Sequence, residues 1–89
     1  MNEKRLCLVS RETVVEARNL LENVQDTAVL LVGRAVMLPG TLFGDREVFA
    51  VLEEIRDLGL EGKVSPAVKA LPAREIVDLL LQRQIFNLG

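Results

Sequence analysis

Hydrophobic and polar positions along the chain alternate between two patterns. Arg5 to Ser10, RLCLVS, is a short apolar run that predicts a first strand. Thr13 to Val24 places Val14, Ala17, Leu20, Leu21 and Val24 at helical spacing, and Thr13 with Glu16 has the form of a capping box. Thr27 to Gly33, TAVLLVG, is continuously apolar with β-branched residues, as in a central strand covered on both faces. From Arg34 to Glu47 the turn signals Pro39-Gly40 and Gly44-Asp45 leave room for one or two helical turns, between Arg34 and Leu38. Ala67 to Leu71 reads as a further strand. Pro72 to Gln84 reads as an amphipathic helix with proline in its first turn. The tail carries Ile85, Phe86 and Leu88, too apolar to hang free.

One stretch fits both patterns. In VFAVLEEIRDL, Val48, Val51, Leu52, Ile55 and Leu58 follow the period of a single helix, yet VFAVL is also a run suited to a buried strand. With Val48 to Leu52 as a strand, the alternation of strands and helices predicts an α/β domain. Its sheet is small, mainly parallel and four-stranded, with flanking helices and right-handed crossovers in βαβ layers. With a helix there, the sheet has three strands and the region from Leu30 to Ala70 is hard to close.

The chain has 89 residues, which sets one domain, 1–89, with a modest core. It is 49% hydrophobic but holds only three Phe and no Tyr or Trp, so an interface would rely on aliphatic residues. Net charge is −2 with no basic run, which argues against direct nucleic-acid binding. No apolar stretch is long enough to span a membrane, and the amino terminus lacks the apolar region of a signal peptide. A single cysteine, Cys7, excludes an internal disulfide. These features predict a cytoplasmic protein.

The carboxy half, EVFAVLEEIRDLGLEGKVSPAVKALPAREIVDLL, resembles the DsrH/TusB family of small sulfur-relay subunits. The family's order is a strand, an acidic pair, a short helix ending in Gly-Leu, a polar turn, a second strand and a long amphipathic helix. The corresponding parts here are Glu47 to Val51, Glu53-Glu54, Gly59-Leu60, Glu61 to Ser65, Val68 to Leu71 and Pro72 to Leu81. Asp26 to Gly33 fits the family's acidic residue, apolar strand and glycine. The resemblance implies a strand at Val48 to Val51, a helix of about Glu53 to Leu58 and DsrE- or flavodoxin-like βαβ layers. Three positions depart from the family: Arg34 replaces an acid, Pro72-Ala73 replaces Asp-Tyr, and Phe86 stands nearest to a terminal Trp.

Catalytic parts are sparse. There is no His, which removes the commonest general base and most first-row metal sites. Cys7 is the one weak catalytic candidate, but it lies between Leu6 and Leu8 inside the first strand, where cysteine acts as a small hydrophobe. The family's cysteine, where present, follows that strand. Asp45, Glu47, Glu53 and Glu54 form an acidic neighbourhood that reads as solvated loop and helix start, not as a cation site. GLEGKVS lacks the spacing of a phosphate loop. Arg11 reads as a surface arginine in preference to an anion site. No cofactor or metal is expected.

Met37, Leu38, Leu42 and Phe43, with Phe86, are therefore the candidate interface. The resemblance implies a non-catalytic subunit that joins DsrE- and DsrF-like (TusD- and TusC-like) partners in persulfide transfer, toward 2-thiouridine in tRNA or in sulfur oxidation. In isolation such a subunit is expected to form a homodimer or a larger self-assembly. Alternatives are a sulfurtransferase that uses Cys7 itself, and an unrelated small α/β interaction domain.

Overall fold

The computed structural model describes residues 5–22, 24, 27–44 and 46–87. Among the described residues five strands form one fully parallel sheet: β1 (Arg5–Val9), β2 (Thr27–Leu31), β3 (Val48–Val51), β4 (Val68–Leu71) and β5 (Gln84–Asn87). The spatial order is β4-β3-β2-β1-β5. The four strands expected from the sequence are present, and the apolar tail adds the fifth beside β1. Three α-helices accompany them among the described residues: α1 (Val14–Leu21), α2 (Leu52–Asp57) and α3 (Ala73–Gln82).

Strand order decides which helix covers which face. Each step from β1 to β4 moves one place in the same direction. Right-handed crossovers then put every connection on one side. Ala17 and Leu21 of α1 and Ile55 of α2 accordingly pack with Cys7, Val9, Val29, Leu31, Val48, Ala50 and Val68. The last connection runs back across the whole sheet, so α3 lies on the opposite face. There Ile76 packs with Leu6, Ala28, Leu30 and Phe49. All five residues of β2 are buried, as a strand covered on both faces requires.

The ambiguous stretch divides at Val51. Val48–Val51 pairs with β2 and β4, and the helix begins at Leu52. α2 stops after six residues because Gly59 takes a left-handed φ of 67°. The amide of Leu60 donates to the Ile55 carbonyl at 3.0 Å, and that of Gly59 donates to Arg56 at 3.0 Å. This is a Schellman ending, and its apolar pair, Ile55 and Leu60, is buried in the core.

One local expectation needs correction. The Thr13–Glu16 capping box does not form. A 3₁₀ turn at Arg11–Thr13 precedes α1, and the Thr13 hydroxyl turns back to accept the Ser10 amide at 3.0 Å. After β2, the helical turns expected between Arg34 and Leu38 are present as a 3₁₀ turn, and a second turn that the Pro and Gly signals did not suggest follows it. Two 3₁₀ turns, Gly33–Met37 and Gly40–Phe43, bury Ala35, Val36 and Phe43 in the core.

The second of these turns lies against the chain that enters β4. A Cβ on Gly40 would stand 2.5 Å from the Ala67 Cβ and 3.1 Å from its carbonyl carbon. Gly40→Ala is expected to cost about 1–3 kcal/mol through overpacking. Adding Ala67→Gly relieves the closest contact, so the double variant is expected to recover about 1 kcal/mol relative to the sum of the singles. Urea denaturation of the four proteins measures this coupling. Strict additivity would show that the two backbones are not in contact there.

Candidate functional site

In parallel α/β sheets, ligands bind at the carboxyl ends of the strands. At that edge the acidic pair of α2, which follows β3, ties the connections after β2 and β4. Glu54 Oε1 accepts the Gly33 amide at 2.8 Å, at the end of β2. Glu53 Oε1 accepts the Ala73 amide at 2.9 Å, at the start of α3. Both carboxylates thus satisfy backbone donors in neighbouring connections. Their tandem placement in the first turn of α2 sends one to each side. They are staples for loops and do not converge on a cation. Asp45 lies outside the described residues. Among the described residues no group of three or more potential ligands could hold a metal ion.

Glu47 is separate from this pair, at the amino end of β3. It faces Lys69 at 3.5 Å and Arg83 at 3.8 Å. Both cations also lie over the Phe49 ring, at 5.9 Å and 5.7 Å. The Arg83 side chain is nearly buried there, so it closes the sheet's α3 face through its aliphatic stem and its charge.

Arg46 is a residue that the sequence pattern did not single out. Its guanidinium donates to the carbonyls of Leu21, Val24 (2.6 Å) and Thr27 (3.2 Å). It therefore gathers the carboxyl end of α1, the following loop and the start of β2, and its charge suits the negative pole of α1. The acceptors precede it by 19 to 25 residues, so no local signal marks this role. A cavity of about 190 Å³ opens beside it, lined by Arg18, Leu21, Glu22, Leu42, Phe43 and Arg46. It is below the roughly 300 Å³ at which small-molecule pockets begin.

The candidate interface residues Met37, Leu38, Leu42 and Phe43 do not form an exposed patch. Phe43 is only 6% exposed, and Met37, Leu38 and Leu42 are half-buried against the same core. The 3₁₀ turns bring all four onto the sheet, which the Pro and Gly positions alone did not suggest. Phe86 lies in β5 opposite Cys7 in register. Arg11 is exposed in the turn after β1. The large apolar residues that do reach solvent include Val77 and Leu81, both on α3. Among the described residues no helix is long and apolar enough to cross a membrane.

Cys7 is sealed in the core, with 0% of its surface exposed. Burial pushes its thiol above the ordinary 9.0, and the positive charge of Arg46 pulls it partly back. The thiolate that nucleophilic sulfur chemistry needs is thus disfavoured. Native protein is expected to react slowly with a thiol reagent such as dithionitrobenzoate and rapidly in denaturant. Fast stoichiometric labelling of folded protein would contradict the buried thiol.

The same burial has a pH signature. Below pH 9.0 the thiol keeps its proton in both states, and its contribution to stability is constant. Above that value the unfolded chain ionises while the folded one resists, so stability falls as pH rises, by at most about 1.4 kcal/mol per pH unit. Cys7→Ala is expected to lose about 1 kcal/mol at neutral pH from lost packing and to remove that part of the alkaline decline. Denaturation curves between neutral pH and pH 10 compare the two slopes.

No protein-family model, no curated protein and no solved structure matches this chain.

Proposed function

We propose that the chain is a non-catalytic subunit of a sulfur-relay assembly of the DsrEFH or TusBCD kind, in which the transferred sulfur rides on a partner's cysteine. The observation that carries this reading is the colinear order of strand, acidic pair, short helix, Gly-Leu, polar turn, strand and helix. Each part of the resemblance coincides with one physical element. The strand is β3, the acidic pair opens α2, Gly59-Leu60 forms its Schellman ending, and the last strand and helix are β4 and α3.

The chemistry supports a scaffolding role. The one cysteine is sealed in the core, and Glu53 and Glu54 are occupied by backbone amides. A sulfurtransferase using Cys7 would have to open β1 to expose its nucleophile. The strand order also distinguishes this sheet from the flavodoxin order 2-1-3-4-5, which weakens the reading as a small flavodoxin-like binding domain.

Affinity purification from the native host, with mass spectrometry of stoichiometric partners, tests the proposal. The expected result is a complex with small DsrE- and DsrF-like subunits, at least one bearing an accessible cysteine. Persulfide transfer by that complex should survive Cys7→Ala in this subunit at close to the wild-type rate. A rate that collapses with Cys7→Ala while the complex stays assembled would transfer the carrier role to Cys7. Co-purification with no such subunit would remove the sulfur-relay reading.

A further inference from the structure

We infer that the outer face of α3 pairs with the same face of a second copy of this chain, as two antiparallel helices about a two-fold axis. The inference does not rest on the sulfur-relay reading. It starts from which apolar residues the fold leaves uncovered. The segment from Met37 to Phe43 is packed against the core, whereas Val15, Leu58, Val77 and Leu81 are exposed, and of these only Val77 (50%) and Leu81 (80%) share one element. Val77, Leu81, Arg74 and Asp78 occupy positions i+3, i+7, i and i+4 on one helix and are all exposed. They lie about 100° to 200° around the helix from Ile76, which faces the sheet. The four therefore form a continuous seam on a side that none of the described residues covers.

The charges on the seam specify the occupant. Arg74 and Asp78 enter no ion pair among the described residues. In an antiparallel pair whose axis passes level with Ile76, Arg74 of each copy faces Asp78 of the other. The same axis brings the two Val77 side chains together. Leu81 then lies about 7.5 Å along the helix, over the start of the second copy's α3 at Pro72. In a parallel pair in register, Arg74 would face Arg74 and Asp78 would face Asp78, so like charges oppose that arrangement. A seam carrying one cation, one anion and two apolar residues is complementary to itself only under a two-fold, the symmetry of an isologous dimer.

One helix of ten residues offers a contact well below the roughly 1,200 Å² of stable interfaces, so the dimer is weak, with Kd on the order of 100 μM. Sedimentation equilibrium from about 10 μM to about 1 mM spans that range. Wild-type protein is expected to pass from monomer to dimer. Leu81→Gln is expected to raise Kd about tenfold through loss of apolar contact. Arg74→Asp should raise it about tenfold by setting like charges opposite one another, and Arg74→Asp with Asp78→Arg should return it to within about threefold of wild type. All of these positions are exposed, and circular dichroism checks that each variant stays folded. A monomer at the highest concentration would overturn the inference. So would a dimer indifferent to the α3 substitutions, or a charge swap that fails to restore association.

Discussion

A parallel sheet has to be covered on both faces, and this requirement governs the molecule. β2 is buried along its whole length because core lies above and below it. The first three crossovers move in one direction and can cover only one face. The second face is reached because the chain turns back from β4 at one edge and enters β5 at the other. α3 is the sole helix on that side among the described residues, and its Ile76, Leu79 and Leu80 shield Leu6, Ala28, Leu30 and Phe49. Burial of a side chain such as Ile76 contributes about 2 kcal/mol, so the return crossover carries much of what stabilises the second layer.

Polar side chains finish what the apolar layers begin. Glu53, Glu54 and Arg46 all spend their charge on backbone groups of distant loops. Such bonds to charged groups contribute about 1.5–3 kcal/mol each where they are shielded, and they fix how successive connections sit beside one another. Groups committed in this way are not available as acids, bases or ligands. The sealed Cys7 is likewise committed to the core.

The positions of the exposed apolar residues show why surface cannot be read from composition. Met37, Leu38, Leu42 and Phe43 interrupt a run of turn-forming residues, yet short 3₁₀ turns fold them inward. α3 has the cleaner amphipathic pattern, but Val77 and Leu81 fall outside its buried stripe. Whether an apolar side chain is core or surface depends on the layer above it, and periodicity within one segment carries no information about that layer.

The sequence by itself determined the alternation of strands and helices, the central place of Thr27–Leu31 and the ending of α2 at Gly59. Continuous apolar runs, helical spacing and a glycine able to take positive φ are local signals, and local geometry enforces them. It also placed Cys7 inside a strand, and hence in the core. The tertiary structure alone decided the strand order, the entry of the tail as β5 and the partners of Arg46, Glu53 and Glu54. Each of these depends on groups some 20 residues or more apart being brought together by the sheet, and no spacing along the chain encodes that meeting. The division at Val51 lies between the two. The helical period ran through it, and pairing with both β2 and β4 overrode that period, because a strand between two others satisfies its backbone on both edges.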